Sequence, residues 1–516
     1  MKKTFIMMLL GLTGSVCHAE DITVSFKGAT AKVTRQVKDS VMVTVDGACV
    51  NIESLFRDHK LTLRLTGKSD DGQLVLKTAG KAKVKLDGLQ LTSQEGAPLC
   101  LKNKKKVEVV AAKGTKNTLT ITACNDTANH KAATIWAKDK LLLSGKGTLN
   151  IIATGDGCRG IKTKKDITIE ELTLNVTTSG DNLGEKPFGF GGMPGFGGGE
   201  MPDFGGGFPF GNDSTMRGGF PPMGNFPMPD FGGGGFPPMG NDSTMRGGFP
   251  PMGSFPMPDF GGGGFPPMGN DSIEGGFGGG FGGKHKYVAS TKGIASKGKI
   301  TINSGHVTVR TSTAGAEGIE GKEGVIFNGG NVDVLTTDDA VNANAVIEFN
   351  GANVTARSMG NDAVDSNPKS GFFMPFGGNE QSDDPAIVIR GGTVYAWSQV
   401  GSPEEGLDCD FAALVVEGGT VFSVGGGMGE MPSVPTNATA KQPTVLLIGI
   451  NIVKDEPITI SGADGKIIDT VVVPFSLRRS ASLVSSPAFK LGGSYTVKTK
   501  GYEKTFVIKE NFTAVR

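Results

Sequence analysis

Carboxylate and carboxamide side chains recur at one interval in the middle of the chain. The phrase DDAVNAN begins at Asp338 and NDAVDSN at Asn361, so Asp339, Asn342 and Asn344 precede Asp362, Asp365 and Asn367 by 23 residues each. A later phrase, EGLDCD, brings Glu405, Asp408 and Asp410 to the matching places. If the interval is one turn of a coiled chain, each oxygen-bearing group lies over the next at the spacing of neighbouring strands, about 4.8 Å. Two carboxylates at that separation repel by roughly 1 kcal/mol in water, and by about 3 to 4 at an effective dielectric near 20. A cation relieves that repulsion. An irregular, flexible set of oxygens suits Ca2+, whereas Mg2+ demands tighter octahedral geometry. Asp338, Asp339, Asn342, Asn344, Asp362, Asp365, Asn367, Glu405, Asp408 and Asp410 are therefore the candidate calcium ligands. The competing reading is a solvated acidic face with Asn ladders at the turns. No EF-hand is present, because DSNPKSG at 365–371 puts Lys369 where a ligand belongs.

The element that produces such an interval is visible in the surrounding text. KGKITINSGHVTV at 297–309 returns as KEGVIFNGGNVDV at 322–334, NAVIEFNGANVTA at 344–356, PAIVIRGGTVYA at 385–396 and AALVVEGGTVFS at 412–423, with an earlier form, KDITIEELTLNV, at 165–176. Each copy is a short β-branched strand, a corner that often carries Gly, and a second strand. Repeats of this length mean a solenoid, and short strands punctuated by Gly and Asn make it a β-solenoid. The expectation is an all-β protein: a right-handed parallel β-helix with three strands per turn.

Six phrases then align as one column set: RGIKTK from Arg159, KGIASK from Lys292, EGIEGK from Glu317, DAVNAN from Asp339, DAVDSN from Asp362 and EGLDCD from Glu405. The third residue is apolar and the fifth small, so both point inward, because side chains alternate along a strand. The first, fourth and sixth positions can then face solvent. Their charge changes along the chain. Lys162, Lys164 and Lys297 on the early turns are the candidate contacts for a ligand's carboxylates. Residues 51–180 hold 22 Lys and Arg against 13 Asp and Glu, and residues 311–431 hold 4 against 18. The net charge of +1 hides that split, and gives no argument for a nucleic-acid partner.

The remaining segments read as follows. Residues 1–19 have two lysines, an apolar run and small residues, the pattern of a cleaved secretory signal. No later run reaches membrane-spanning length, so a secreted or cell-surface protein is expected, acting as a monomer. Residues 20–82 are expected to form an N-terminal β cap, and 83–185 and 284–442 the two parts of the β-helix. Between them, 186–283 is rich in Gly, Phe, Pro and Met, a composition that cannot build a ladder or a core. It contains a 29-residue duplication, 211–239 and 240–268, and is expected to be a disordered insert. Residues 443–516 lose the repeat and are expected to form a small antiparallel β module covering the coil's end. The five cysteines after the signal form no CxxC pair, which argues against zinc. They read as small buried side chains.

The ordered set KLDGLQLTSQEGAPLCLKNKKKVEVVAAKGTKNTLT at 85–120, GKGTLNIIATGDGCRGIKTKKDITI at 145–169, KGIASKGKITINSG, TTDDAVNAN, NDAVDSN, EEGLDCD and the tail LVSSPAFKLGGSYTV resembles a bacterial secreted β-helix family named as a carbohydrate-binding domain. The resemblance covers nearly the whole chain outside the insert. It implies a calcium-containing binder of acidic plant polysaccharide such as polygalacturonate, with some cellulose binding. It also implies calcium on Asp338, Asp339, Asn342, Asp362, Asp365 and Asp408. Glu317 and Glu405 stand where later turns carry Asp, so those two turns fit the implied set less closely.

Pectin-cleaving enzymes share this architecture, so fold alone does not separate binder from enzyme. A calcium-dependent lyase needs an Arg or Lys base beside its calcium. Here Arg357 lies on the strand after Asn353, displaced from the Asp column, and the five histidines form no constellation. The expectation is a non-catalytic binder of polysaccharide. A pectate-lyase-like enzyme and a surface scaffold or adhesin without a sugar site are the alternatives. Trp136, Trp397, Tyr287 and Tyr395 are few for a flat sugar-stacking platform.

Overall fold

The computed structural model describes residues 21–36, 40–124, 132–185, 287–368, 384–409, 412–426 and 432–516. The expected signal at 1–19, the expected insert at 186–283 and Asp410 lie outside the described residues. Every described residue belongs to one compact unit of the chain.

The described elements are all strands and turns, without a helix. Each turn of the repeat contributes three strands, one to each of three faces. One face runs through Arg159–Thr163, Lys292–Ser296, Glu317–Gly321, Val341–Ala343, Val364–Ser366 and Leu407–Asp408, every neighbouring pair parallel. The second runs through Ile167–Ile169, Ile300–Ile302, Val325–Phe327 and Ile347–Phe349. The third runs through Thr173–Thr178, His306–Thr311, Asn331–Thr336, Asn353–Ser358 and Thr393–Ser398. Parallel strands cannot be joined by a hairpin. Here the chain satisfies that rule by coiling, so each strand meets its own counterpart one turn later. Parallel pairing already begins inside 20–82, where Cys49–Ser54 lies beside Gln73–Thr78 and Ile22–Lys27 beside Leu61–Ser69.

The inward columns follow the sequence alignment. Ile161, Ile294, Ile319, Val341 and Val364 stack in register with Leu407, all buried. On the second face Phe327 stacks on Phe349 with ring centroids 5.0 Å apart. The column between the first and third residues of the phrase must be very small. A Cβ on Gly293 would sit 2.6 Å from the Gly318 carbonyl oxygen, because backbone from the next turn passes there. At the GG corner Gly330 takes φ 85°, a conformation that favours glycine.

The insert does not interrupt the coil. Leu183–Glu185 and Tyr287–Ala289 pair antiparallel as a two-stranded stem. On either side the rungs continue in register, Ile161 against Ile294 and Leu174 against Val307. At the C-terminal end Val421–Gly425 pairs antiparallel with Leu477–Ser485, which also pairs with Thr444–Ile452. A four-stranded antiparallel sheet of Pro457–Gly462, Ile467–Val472, Ser494–Thr499 and Tyr502–Val507 completes the module. Its apolar core includes Trp397, Phe422 and Val424 of the coil.

The cysteines divide. Cys100, Cys158 and Cys409 are buried as expected, and burial pushes the Cys158 thiol up to about 12. Cys124 is half-buried, and Cys49 is exposed, because it begins a hairpin strand just after the turn at Gly47 and does not lie in a rung interior.

Candidate functional site

The fourth residue of each phrase forms an unbroken column in strand register: Trp136, Lys162, Ala295, Glu320, Asn342, Asp365, Asp408. The first residue forms a second column beside it. The strand pattern allows both to face solvent, yet most of their residues do not. Lys162, Lys292, Glu320, Asp339, Asn342, Asp362, Asp365 and Glu405 are all buried, Asp339 to 1% exposure and Asp365 to 2%. The reason is lateral. First- and fourth-position side chains of one turn reach each other, and each is also flanked by the turns above and below.

At the boundary between basic and acidic turns this packing makes an ion cluster. Lys292 Nζ lies 3.0 Å from Glu317 Oε2 and 2.7 Å from Glu320 Oε1, and Lys322 Nζ lies 2.6 Å from the same Glu320 oxygen. Burial pushes Glu320 up, but Lys292 and Lys322 outweigh it and hold the carboxyl well below its ordinary range.

One turn further the cations give way to amides. Asn342 Nδ2 donates to Asp339 Oδ2 and to Asp365 Oδ2, 2.9 Å each, and so bridges two turns. Asn361 Nδ2 donates to Asp338 Oδ1 at 2.9 Å and Asp339 Oδ1 at 2.7 Å. Asn367 Nδ2 donates to Asp365 Oδ1 at 2.6 Å. Asp338, Asp339, Asn342, Asp365 and Asn367 are thus brought together. Asn344 is half-buried, and no hydrogen bond joins it to this group among the described residues.

In the last turns the acids crowd. Asp362 Oδ1 accepts the Glu405 backbone N–H at 2.5 Å, and Glu405 Oε2 accepts the Ser433 N–H at 2.6 Å. Ser433 Oγ reaches Asp408 Oδ1 at 3.4 Å. Burial, then the Asp408 and Asp365 carboxylates, push Asp362 well above the ordinary aspartate range, against the pull of the Glu405 N–H. Two partners here were missing from the sequence-based set. Asn361 had a signal, since it lies 23 residues after Asp338 in the duplicated phrase. Ser433 had none, because it arrives from outside the repeat.

Among the described residues no group of three or more His, Cys, Asp or Glu side chains is gathered as a metal shell. The chemistry of the donor set nevertheless suits a hard cation. Asn342 places a nitrogen between two carboxylates of successive turns. Half a turn of that amide exchanges the donor for an oxygen.

The three candidate ligand lysines separate. Lys164 and Lys297, at the sixth position, are exposed, whereas Lys162 is buried in the fourth-position column. Trp136 and Trp397 are also buried, at 4% and 6%, and offer no open ring face. Arg357 lies on a different face of the coil from the acidic column, in register with Leu335 and Trp397. Its Nε is buried without a hydrogen-bond partner. His306 stacks over Asn331 in a side-chain ladder on that same face.

A family model described as "Carbohydrate-binding domain-containing protein" matches residues 33–186 and 271–363, flanking the insert and including Asp338, Asp339, Asn342 and Asp362. A protein of the same description from Acetivibrio thermocellus is 28% identical over 138 residues, 26% of this chain and 48% of that protein. The match thus spans about half the length of that relative. A solved polysaccharide lyase-like protein from C. thermocellum, a gadolinium derivative, is 15% identical, with 65% of this chain and 90% of that one covered at a TM-score of 0.36.

Proposed function

We propose that this protein is an exported, non-catalytic binder of acidic polysaccharide, and that calcium held by the stacked acidic turns takes part in binding. In this reading the coil is a right-handed parallel β-helix. Similarity to carbohydrate-binding domain proteins supports sugar as the partner. The observation that carries the calcium reading is the buried carboxylate stack in which Asp408 and Asp365 push Asp362 upward. A divalent cation at that stack lowers the same carboxyl by opposing the repulsion. Asp339, Asp362, Asp365 and Asp408 would hold it, with Asn342 and Asn367 turned to present their amide oxygens. Calcium, when bound, supplies coordination positions that uronate oxygens can complete. The chain's own residues orient the site: Asn361 ties Asp338 to Asp339, and Ser433 ties Glu405 to Asp408. In this reading Arg357 belongs to another face, and Lys292 and Lys322, one turn before the stack, are engaged by Glu317 and Glu320, so cleavage is not expected.

The test is affinity gel electrophoresis in polygalacturonate. Retardation is expected in calcium, and EDTA is expected to weaken it at least about tenfold, or 1.4 kcal/mol. Prolonged incubation is expected to release neither reducing ends nor unsaturated uronides. Product release lost in Arg357→Ala would favour a lyase, and no retardation by any acidic or neutral glycan would favour a scaffold.

A further inference from the structure

The third face carries a groove far from the acidic column, near the N-terminal end of the coil. Its lining includes Lys68, Asp70, Gln90, Thr92, Lys116 and Thr118. Strand register explains its composition. Lys68, Gln90, Thr118, Asn150 and Asn175 follow one another outward on successive rungs, and Thr92 sits beside Thr120. The alternating positions, Leu91 and Leu119, are buried in the coil, so the polar residues all face out.

The hydrogen bonds of this column have a direction. Asn175 Nδ2 donates to Asn150 Oδ1 at 2.9 Å, and Asn150 Nδ2 donates to Thr118 Oγ1 at 3.3 Å. A hydroxyl that accepts along a ladder keeps its own proton to give. The chain of amides therefore ends in the groove as an O–H donor. Around it stand the Gln90 amide and the Lys116 ammonium, which has no ion pair among the described residues. Among the described residues Lys68 has one ion-pair partner, Asp70, at 3.3 Å and with both side chains exposed. Such a pair is worth little and is readily exchanged for a ligand carboxylate. The groove thus sets two lysines against one carboxylate, Asp70, within the basic stretch 51–180, which holds 22 Lys and Arg against 13 Asp and Glu. Neighbouring rungs are about 4.8 Å apart, close to the length of one sugar unit, so a glycan crossing the strands meets a new set of donors at each residue.

We infer that this groove is a second, calcium-independent subsite for a uronate-containing oligosaccharide, with Lys68 and Lys116 taking carboxylates and Gln90 and Thr118 taking hydroxyls. The inference rests on the reading of the protein as an acid-sugar binder, and it adds a site made of different residues on a different face. It is tested on the full chain with oligogalacturonide by titration calorimetry, in calcium and in EDTA, with a carboxyl-reduced oligosaccharide as the uncharged control. Wild type in EDTA is expected to retain weak, salt-sensitive binding absent with the control. Lys68→Ala with Lys116→Ala is expected to weaken it at least about tenfold, and Thr118→Val to weaken it further while unfolding at the same temperature. Binding in EDTA that the double substitution leaves at full strength overturns the subsite. So does calcium-dependent binding with nothing left in EDTA, an outcome that leaves the acidic-column reading standing. Binding indifferent to EDTA but lost in the double variant supports the groove and sinks the calcium reading instead.

Discussion

Asp362 meets two carboxylates from neighbouring positions in a place that water hardly reaches, and its titration should be visible in the stability of the whole protein. Burial, Asp408 and Asp365 raise its folded-state pKa above that of the unfolded chain. The native state then holds this proton more tightly than the unfolded state does. Its contribution is present below the ordinary aspartate range and is lost as pH rises through the raised folded value. In calcium-free buffer the melting temperature is expected to fall as pH is brought from acid towards neutrality. Asp362→Asn keeps an acceptor for the Glu405 N–H and should flatten that fall, and saturating calcium should do the same to wild type. Superimposable pH profiles for wild type and Asp362→Asn would remove the carboxylate stack as a source of strain. Glu320 has the opposite sign: Lys292 and Lys322 outweigh burial and lower it, so its contribution is lost only towards acid. The difference between the two proteins isolates Asp362 from it.

At the scale of the strand, the tolerance of the coil is set by how closely successive turns approach. A methyl group on Gly293 would lie 2.4 Å from Val309 Cγ1 and 2.6 Å from the Gly318 carbonyl oxygen. The carbonyl belongs to a paired strand and cannot swing away. Gly293→Ala is expected to cost about 1–3 kcal/mol, the usual range for overpacking, read as a lower urea midpoint at unchanged slope. An unchanged midpoint would mean that the turns can separate locally. Polar ladders serve the same elements from outside. Asn328 donates to Asn303 and Asn350 donates to Asn328, at 2.8 and 2.9 Å, and the ladder runs from Glu170 at one end to Arg390 at the other. Amides at the corners thus satisfy one another from turn to turn with a carboxylate and a guanidinium as terminators.

For the molecule as a whole, the coil is continuous across residues that are far apart in sequence. Thr163 and Ser296 hydrogen-bond at 3.1 Å across the insert, and both chain directions leave through the stem at Leu183–Glu185 and Tyr287–Ala289. Deletion of 186–283 preserves the stem and every rung contact. The shortened protein is expected to keep its β circular dichroism and an equal or higher melting temperature, since loop-closure cost changes slowly with length. Loss of the β signal would make the insert part of the fold. At the other end, pairing of Val421–Gly425 with Leu477–Ser485 closes a strand edge that would otherwise invite association.

The architecture was legible because it depends on local periodicity. The repeat put Ile161, Ile294, Ile319, Val341, Val364 and Leu407 in one inward column, and strand alternation then dictated which neighbours faced out. The same repeat placed Asn342 over Asp365 and Asp365 over Asp408. What it could not convey was how deep those outward residues lie. The strand pattern puts Lys162 outward, yet it is buried, and the competing reading of the Asp and Asn columns as a solvated acidic face fails because Asp339, Asn342, Asp362 and Asp365 are buried. Periodicity along one strand records which side a residue points to. It is silent on what stands beside it, because lateral partners come from the other column, from the next turn, or, like Ser433, from beyond the repeat. Residue order therefore determined the coil, its register and its gradient from basic to acidic. Only the tertiary structure decided that the gradient is a packed, hydrogen-bonded stack, since burial and mutual repulsion are properties of neighbours in space.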